Sequence, residues 1–551
     1  MNVPSIWTTG STEAIKTGTW RAALPHYIHA PSPCHQACPV GGEIAEWIAL
    51  ARARDLRGAW EVLTRHNPFP AVAGRICHHP CEAACNRGGF DEPLAICKLE
   101  RAVGDRALDQ GWAYTPPTVE RAQQVAIVGG GPSGLSAAFQ LRRRGWRVTL
   151  FESQPELGGL MRYGIPSYRL ARSVLDGEIA RIVALGIDLR CGQPLATAED
   201  FERLRSTHDA VYLALGAARP KRLPQLPANA AWWMDGAEYL ARTNAGTPPA
   251  LGRRLVVVGG GSAALDAARS ARRAGHAVTI LALESAAQMP AQREELAEAL
   301  EEGITLIDGA LLSAVTPQDG GGLALACVRV HFEPGTEHGR FALTPIGGSD
   351  FTLAADAIVA SIGQDPELAP LASRYTVDGA LLRVDARQAT GVDRVWAGGD
   401  LASMARFVTE AIGMGERAAL EIDRALRGTT ALADAPSEPV VGLDQIATFY
   451  HPQRSRPAEA HRPVAERLVS GAEVQLGLDL EQVLAETERC FSCGSCIQCD
   501  NCFHYCPDLA ITRVNGEAGQ GYAVLTDYCK GCGVCVKECP TGSMTMREEL
   551  R

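Results

Sequence analysis

Two matching runs of cysteines near the carboxyl end constrain this chain more than any other feature of its sequence. Each run follows the pattern C-x2-C-x2-C-x3-C-P, and the runs end at Pro507 and Pro540. Three closely spaced thiolates can wrap one iron–sulfur cubane in a single loop, while the fourth points toward a second cubane. The pattern therefore predicts two [4Fe–4S] clusters with interleaved ligands. One set is Cys496, Cys499, Cys502 and Cys539, and the other is Cys506, Cys529, Cys532 and Cys535.

Structural zinc is the alternative use of such cysteines, but the repeated run and its following prolines favour iron–sulfur clusters. This segment resembles a bacterial two-cluster ferredoxin. A further pair, Cys490 and Cys493, precedes it in RCFSCGSC. With two ligands and no adjacent histidine, this pair either ligates a further metal or supplies free thiols near the first cluster.

Composition narrows the class of protein. All of the 18 cysteines except Cys191 and Cys327 fall into two terminal groups, Cys34–Cys97 and Cys490–Cys539. Clustered thiols of this kind are typical of metal or redox work in a reducing compartment, so we expect a cytoplasmic protein. The net charge of −10 argues against nucleic-acid binding. We find no signal peptide and no apolar run of about 18 residues that could span a membrane.

Two units of strand, glycine-rich turn, helix and strand occupy the middle of the chain. The first has Gly129, Gly131 and Gly134 in G-x-G-x-x-G, and Glu152 ends its second strand. The first glycine allows the tight turn, the second lets the backbone approach a pyrophosphate, and the third lets helix pack on strand. The helix amino terminus stabilises phosphate charge. The second unit has Gly259 and Gly261, with Ala264 at the third position. Two units of this kind predict two bound dinucleotides.

Further motifs reveal a family resemblance. The segment GGLMRYGIPSYRL (Gly158–Leu170), the WAGGD motif containing Gly399 and Asp400, and the amino-terminal cysteines accompany the two glycine units. Together they resemble the glutamate synthase small subunit and the amino-terminal half of dihydropyrimidine dehydrogenase. The resemblance implies that the first unit binds FAD and that the second, inserted unit binds NAD(P)H. The alternative for Gly158–Pro166 is a simple turn.

The resemblance also implies a set of cofactor-binding residues. For FAD and the adjoining strand ends these are Gly129, Gly131, Pro132, Ser133, Gly134, Glu152, Gly158, Gly159, Leu160, Arg162, Gly164, Ile165, Gly216, Gly363, Gly399 and Asp400. For the nicotinamide dinucleotide they are Gly259, Gly261, Ser262, Ala263 and Glu284.

Glu284 bears on the choice of nicotinamide dinucleotide. Family members that use NADPH often carry an arginine pair where this chain has Leu283 and Glu284. A carboxylate suits the free ribose 2′-hydroxyl of NADH. With exposure taken into account, its repulsion of a 2′-phosphate is worth ~2 kcal/mol, roughly a 30-fold bias. We expect NAD(H) rather than NADP(H), although a solvated glutamate is the simpler reading and Arg293 could bind a phosphate.

In the resembled family, the amino-terminal cysteines bind two clusters, and here two of the ligand positions differ. The resemblance implies one cluster held by Cys38, Cys77, Cys81 and a side chain near Glu100, with Cys97 as the alternative fourth ligand. The second would use Cys34 and Cys85 together with His26 and His29, which stand where the family has cysteines. Histidine can ligate cluster iron, but the two histidines could equally mark a lost cluster. One or two amino-terminal clusters are expected.

The predicted architecture combines a helical iron–sulfur domain, two Rossmann-like α/β domains with the NAD domain inserted in the FAD domain, and an α+β ferredoxin-like domain. The expected boundaries are 1–115 helical, 116–250 and 363–430 FAD, 251–362 NAD(P), 431–487 linker and 488–551 ferredoxin.

The predicted function is that of an NADH-preferring, FAD-containing iron–sulfur oxidoreductase. It would act in a hetero-oligomer, passing electrons to or from a catalytic oxidoreductase subunit or ferredoxin. Two alternatives stay open at this point: a glutamate synthase small subunit proper, and a non-enzymatic iron–sulfur sensor or scaffold.

Overall fold

The computed structural model describes residues 16–28, 30–319, 321–335, 340–429, 439–514 and 521–549. None of the helices within those ranges has the length and apolarity to cross a membrane. The amino-terminal region comprises a 3₁₀ turn at Gly18–Trp20, β1 (Ala23–Tyr27), α1 (Pro33–Ala37), α2 (Ile44–Arg52), α3 (Leu56–Leu63), α4 (Pro70–Ile76), α5 (Pro80–Ala83), a 3₁₀ turn at Asn86–Gly89 and α6 (Ile96–Asp109).

The amino-terminal helices pack around two buried tryptophans, Trp47 and Trp60. Helices α4 and α6 cross at very short range because glycines stand at the contact. A Cβ on Gly74 would lie 2.3 Å from the Arg101 nitrogen, and one on Gly104 would lie 2.3 Å from the Ala71 nitrogen. This close crossing holds the segment that carries Cys77 against the helix that carries Glu100.

The first nucleotide-binding domain begins with alternating strands and helices. Its first part comprises β2 (Gln124–Val128), α7 (Pro132–Arg143), β3 (Arg147–Phe151), α8 (Leu160–Tyr163), α9 (Arg172–Val183), β4 (Asp188–Arg190), α10 (Ala198–Thr207), β5 (Ala210–Leu213) and β6 (Arg219–Pro220). The apolar run of β2 is buried on both faces, as expected for a central parallel strand.

The second nucleotide-binding domain is inserted at this point. It comprises β7 (Trp233–Asp235), α11 (Gly236–Asn244), β8 (Arg254–Val258), α12 (Ser262–Arg273), β9 (Ala277–Leu281), α13 (Arg293–Glu301), β10 (Thr305–Ile307), β11 (Ala310–Pro317), β12 (Leu323–Pro334), β13 (Phe341–Pro345), β14 (Phe351–Ala355) and β15 (Ala357–Ala360). Strands β11–β14 form an antiparallel sheet, and its buried side chains pack on β8 and β15.

The chain then returns to the first domain. The returning elements are β16 (Gln364–Asp365), β17 (Val377–Asp378), β18 (Leu381–Leu382), β19 (Val395–Ala397), a 3₁₀ turn at Gly399–Leu401 and α14 (Val408–Arg427). The first parallel sheet has the order β19-β5-β2-β3-β4, and the second has the order β10-β9-β8-β15-β7. Because β19 pairs with β5 across the whole inserted segment, the second domain interrupts the first, as the sequence predicts.

The carboxyl-terminal region contains 3₁₀ turns at Leu443–Gln445 and Thr448–Tyr450, α15 (Val464–Arg467), α16 (Leu480–Thr487), α17 (Asn501–His504), β20 (Ile511–Arg513), β21 (Tyr522–Val524), α18 (Val534–Lys537) and β22 (Met544–Glu548). Strand β1 pairs antiparallel with β22. Residues 23–27, expected in the helical domain, therefore complete the ferredoxin-like domain at the other end of the chain.

The described part of the expected linker, residues 439–487, packs along the helical and nucleotide-binding domains. Glu473 accepts from Arg75 Nε at 2.6 Å and from Arg101 Nη2 at 3.0 Å. Farther along, Arg467 pairs with Glu301 of the second nucleotide-binding domain at 2.7 Å. These partly buried ion pairs hold the segment against both domains. We call residues 439–487 the strap.

Candidate flavin, nucleotide and iron–sulfur sites

The turn between β2 and α7 has a shape that only glycine permits. Gly129 has φ +109°, and a Cβ there would lie 2.2 Å from the Ala214 carbonyl oxygen. A Cβ on Gly134 would lie 1.9 Å from the Gly129 oxygen. Gly131 differs, because a Cβ there would meet only Gly159 Cα, at 3.9 Å. The space in front of Gly131, at the amino terminus of α7, fits a pyrophosphate.

Three segments that are distant in sequence meet at this turn. A Cβ on Gly159 would lie 2.9 Å from Gly131 Cα, and one on Gly399 would lie 3.0 Å from Ser133 Cβ. Burial raises the pKa of Asp400, and Arg406 opposes that shift. The structure thus brings the Gly158–Gly159 loop and the Gly399–Asp400 motif beside the first glycine turn.

Most of the other expected flavin residues lie near the same sheet edge, whereas Gly363 follows β15 of the second sheet. Oε2 of Glu152 accepts from the Gly130 nitrogen at 2.7 Å, so the buried carboxylate lies against the turn. Arg162 pairs with the carboxylates of Glu156 and Asp176. The remaining expected residues lie in α8 and the turn after it or just beyond strand ends: Leu160, Gly164, Ile165, Gly216 and Gly363.

The second glycine turn repeats the geometry of the first. Gly259 has φ +139°, and a Cβ there would lie 2.2 Å from the Ser361 oxygen, whereas a Cβ on Gly261 would meet no atom within 4 Å. Ser262 and Ala263 begin α12 directly after this open position. A Cβ on Gly260 would lie 2.5 Å from Glu284 Oε2, so the Glu284 carboxylate lies beside the turn. Burial raises the pKa of Glu284.

Three thiols and one carboxylate gather beneath α14. Burial is the main cause of the raised pKa values of Cys38, Cys77 and Cys81, and Glu100 adds to the shift in all three. Burial also raises the pKa of Glu100 to about 8. The Cys97 thiol instead faces the Gly74 carbonyl oxygen at 3.4 Å. Of the two expected fourth ligands, Glu100 is the one whose charge acts on all three thiols.

The ferredoxin-like domain contains two cavities, each bordered by four cysteines. One, of about 290 Å³, is lined by Cys496, Cys499, Cys502 and Cys539. The other, of about 320 Å³, is lined by Cys506, Cys529, Cys532 and Cys535. The structure brings together the two interleaved sets that the sequence predicts. Tyr27 of β1 covers the first cavity, with its hydroxyl 3.1 Å from Cys502 Sγ.

A third cavity, of about 360 Å³, lies between the helical and ferredoxin-like domains. Cys34, Cys85, Cys490 and Cys493 all line it. His26 lies in β1 opposite Thr545 of β22, and His29 lies outside the described residues. Sequence reasoning left open whether Cys490 and Cys493 ligate a further metal or are free thiols, and it did not link their C-x2-C spacing to Cys34 and Cys85.

The donor chemistry of these cavities fits iron–sulfur clusters. Thiolates are the soft ligands that such clusters select. Across the part of the chain that the structure describes, no three Cys, His, Asp or Glu side chains converge closely enough to hold a single metal ion. The cysteines instead line three cavities, four cysteines to each cavity.

The fold has two dinucleotide-binding sheets, the second inserted in the first, together with thiol-lined cavities. This combination defines a flavin- and pyridine-nucleotide-dependent oxidoreductase with iron–sulfur domains. The family model described as pyridine nucleotide-disulphide oxidoreductase matches residues 123–415, which is more than half of the chain. The chain belongs to this family. The model described as dihydropyrimidine dehydrogenase domain II, 4Fe-4S cluster, matches residues 28–112, and a 4Fe-4S dicluster domain matches residues 486–546.

Relatives extend over most of the chain. The NADP(+)-dependent formate dehydrogenase subunit beta of Moorella thermoacetica is 34% identical, covering 86% of this chain and 72% of the relative. The glutamate synthase [NADPH] small chain of Mycobacterium tuberculosis is 34% identical, covering 74% of this chain and 88% of the relative. The NAD-dependent dihydropyrimidine dehydrogenase subunit PreT of Escherichia coli O157:H7 is 31% identical, covering 72% and 92%.

These findings confirm the resemblance seen in the sequence and the predicted combination of folds. They also confirm the predicted class of function: the chain is a flavin and iron–sulfur electron-transfer oxidoreductase. Flavin and [4Fe–4S] clusters are its cofactors, and it acts with a pyridine nucleotide.

Proposed function

We propose that this chain transfers electrons between NADH and a catalytic oxidoreductase subunit or ferredoxin, with its carboxyl-terminal clusters facing that partner. Bound FAD would supply the chemistry that converts two-electron hydride transfer from NADH into one-electron transfers with release of a proton, and each cluster would take one electron. The chain's own residues hold the cofactors in line and exclude water between them.

The observation that carries this proposal is the contact between the flavin motif and the first set of thiols. Helix α14 begins a few residues after Asp400, and its Thr409 hydroxyl lies 3.5 Å from Cys77 Sγ. A Cβ on Gly413 of this helix would lie 2.1 Å from the Pro39 oxygen, next to Cys38. The same helix therefore serves the expected flavin site and the adjacent cluster site.

The second nucleotide-binding domain also contacts this cluster site. The Gln292 amide donates to the Cys77 carbonyl oxygen at 3.0 Å, just before α13 begins. His78 packs against Phe407 with ring centroids 4.3 Å apart, which closes the space between the cluster loop and the start of α14. These contacts support close placement of the nicotinamide, flavin and first cluster sites.

The proposed ligands follow from the same geometry. Cys38, Cys77, Cys81 and Glu100 would hold the cluster beside the flavin. The buried Glu100 carboxylate is held by the Asn67 amide, which donates to Oε1 at 2.7 Å. The two cavities of the ferredoxin-like domain would hold one [4Fe–4S] cluster each, on the ligand sets predicted from the sequence.

The proposed dinucleotide is NADH, and the supporting observation is the position of Glu284 beside the second glycine turn. A carboxylate there can accept from a ribose 2′-hydroxyl and repels a 2′-phosphate. Relatives are named for both dinucleotides: the formate dehydrogenase and glutamate synthase subunits for NADP(H), and PreT for NAD.

A hetero-oligomeric role is part of the proposal. Relatives are named as subunits or chains of larger oxidoreductases. The clustered thiols suit a reducing cytoplasm. The ferredoxin-like domain argues against a glutamate synthase small subunit proper. The match to the glutamate synthase relative covers 74% of this chain, whereas the match to the formate dehydrogenase relative covers 86%.

Anaerobic reduction tests the proposal. Addition of NADH to the full chain should bleach the flavin absorption and then reduce a viologen or a bacterial ferredoxin. NADPH should do so with at least tenfold lower kcat/KM. Flavin bleaching without ferredoxin reduction would contradict the proposed direction of transfer, and absence of both would favour a sensor or scaffold. Co-purification with a large glutamine-using subunit would support a glutamate synthase instead.

A further inference from the structure

We propose that Cys34, Cys85, Cys490 and Cys493 ligate an additional [4Fe–4S] cluster where the amino-terminal helical domain meets the ferredoxin-like domain. The proposal rests on the function proposed above, since it places a further cluster between the flavin end and the ferredoxin end. It assigns a role to the C-x2-C pair that precedes the two ferredoxin runs, and it takes the second amino-terminal cluster away from the two histidines.

The backbone of the Cys490 loop repeats that of the two ferredoxin loops. In all three, the residue before the second cysteine and the residue after it both have positive φ. The values are 52° and 74° at Ser492 and Gly494, 55° and 65° at Gln498 and Asp500, and 72° and 76° at Gly531 and Gly533. Positive φ is uncommon outside glycine. Three of the six residues are not glycine but a serine, a glutamine and an aspartate. The shared pattern therefore indicates that the three loops must meet the same geometric requirement.

That requirement is the presentation of amide hydrogens to sulfur. In the Cys490 loop the nitrogen two residues after the first cysteine, that of Ser492, donates to the Cys490 sulfur. Gln498 and Gly531 stand at the same position relative to Cys496 and Cys529. The Ser492 contact measures 3.4 Å. Amide donors stabilise charge on thiolate ligands and help to set cluster potentials. The Cys490 loop is thus built like two loops with the ferredoxin spacing.

The two remaining thiols approach from the helical domain and complete a set of four. Cys34 lies in α1, with its Sγ 3.1 Å from the Ser32 hydroxyl, and Cys85 precedes the 3₁₀ turn Asn86–Gly89. The Asn86 amide reaches across to Cys493 Sγ at 3.4 Å. All four cysteines line the same cavity.

The size of this cavity agrees with the sizes of the two cavities in the ferredoxin-like domain. Its volume, about 360 Å³, is comparable to the 290 Å³ and 320 Å³ of the cavities with ferredoxin ligand spacing. Its rim includes apolar side chains that exclude water, among them Ile44, Ile48 and Phe491. A zinc site would require four ligands drawn together on one ion at about 2.3 Å. The matching volumes favour the cluster.

The four thiols lie between two other proposed cluster sites. Cys34 stands four residues before Cys38, and Cys493 stands three residues before Cys496. A chain segment extends by at most about 3.5 Å per residue, so the sites on either side lie within roughly 14 Å along these connections. The four thiols therefore join the cluster site beside the flavin to the first site of the ferredoxin-like domain.

The test is iron and sulfide content with EPR on the anaerobically purified full chain. Wild type should hold about 16 irons, four for each of four cubanes. The double variant C490S/C493S should hold about 12, with one cluster signal missing from the dithionite-reduced spectrum. Flavin content and NADH-dependent flavin bleaching should be unchanged. The matched control Cys191→Ser and the variant His26→Ala should keep all of the iron.

A conservative variant guards against general misfolding. Cys493→Asp should retain the cluster, because carboxylate can ligate iron, and should alter its EPR signal or potential. An unchanged iron count and spectrum in C490S/C493S would overturn the proposal. So would loss of about four irons in His26→Ala, or one zinc per wild-type chain in place of those irons. If NADH does not bleach the flavin of the wild-type protein, the proposed function is contradicted. The iron content still tests the additional cluster separately.

Discussion

Arg169 and Asp266 join the two nucleotide-binding domains through a buried ion pair, with Nη1 of Arg169 2.7 Å from Oδ2 of Asp266. Nη2 of the same guanidinium pairs with Glu295 at the start of α13. The side chains of Arg169 and Asp266 are 12% and 5% exposed. This pair sets the orientation of the inserted domain on the flavin domain.

Arg169→Met should destabilise the protein strongly. Removing one partner of a buried ion pair leaves uncompensated charge and costs about 3–5 kcal/mol. We expect a lower denaturation midpoint, measured by circular dichroism, together with a higher KM for NADH. The control Arg190→Met removes a pair with Asp188 in which both side chains are about half exposed, and it should cost under about 1 kcal/mol. Equal midpoint shifts in the two variants would contradict this role.

Gly131→Ala and Gly261→Ala should separate the two dinucleotide sites. Neither glycine has a positive φ and neither would bring a Cβ against a close neighbour, so both variants should fold. Each methyl group would occupy the space proposed for a pyrophosphate. Gly131→Ala should lower flavin content, measured from the absorption spectrum. Gly261→Ala should keep flavin and raise the KM for NADH at least tenfold. Gly347→Ala, at another open position, should behave as wild type.

Glu284→Gln should shift the dinucleotide preference. The substitution keeps the shape of the side chain and removes the charge that would repel a 2′-phosphate. We expect the ratio of kcat/KM for NADH to that for NADPH to fall by roughly 30-fold, which corresponds to ~2 kcal/mol of electrostatic discrimination. Glu294→Gln, on the exposed first turn of α13, is the matched control. A ratio unchanged in Glu284→Gln would show that another side chain selects the dinucleotide.

Cys97→Ser and Glu100→Ala should distinguish the two expected fourth ligands of the flavin-proximal cluster. The Cys97 thiol faces carbonyl oxygens of α4, and a serine hydroxyl can donate to the same acceptors. Cys97→Ser should therefore keep all iron. Glu100→Ala should lose about four irons or change the EPR signal of one cluster, and Glu100→Cys should restore the iron. Iron loss in Cys97→Ser alone would reverse the assignment.

Patterns within one short segment were enough to predict much of the site. The spacing of the eight ferredoxin cysteines predicts how the two ligand sets interleave. Three thiols in one loop bind one cluster, and the fourth must point toward the other cluster. The two glycine turns could also be predicted from the sequence, because Gly129 and Gly259 adopt backbone conformations that exclude other residues. The insertion of the second domain in the first was implied by the family resemblance that these motifs carry.

Contacts between segments that lie far apart in the sequence could not be predicted from such local patterns. The pairing of β1 with β22 joins residues more than 500 positions apart in a two-stranded sheet. The strap of residues 439–487 carries few sequence signals, because its attachment depends on single charges such as Glu473 meeting Arg75 and Arg101.

The sequence alone therefore determined which chemistry the chain can hold: glycine turns for two dinucleotides and thiols for cubanes. These depend on backbone geometry and ligand type within a few residues. Only the tertiary structure decided which thiols share a cavity when they come from both ends of the chain. Cys34 and Cys85 meet Cys490 and Cys493 because the domains pack together. Such packing depends on complementary buried surfaces, which cannot be predicted from the spacing of residues within a short segment.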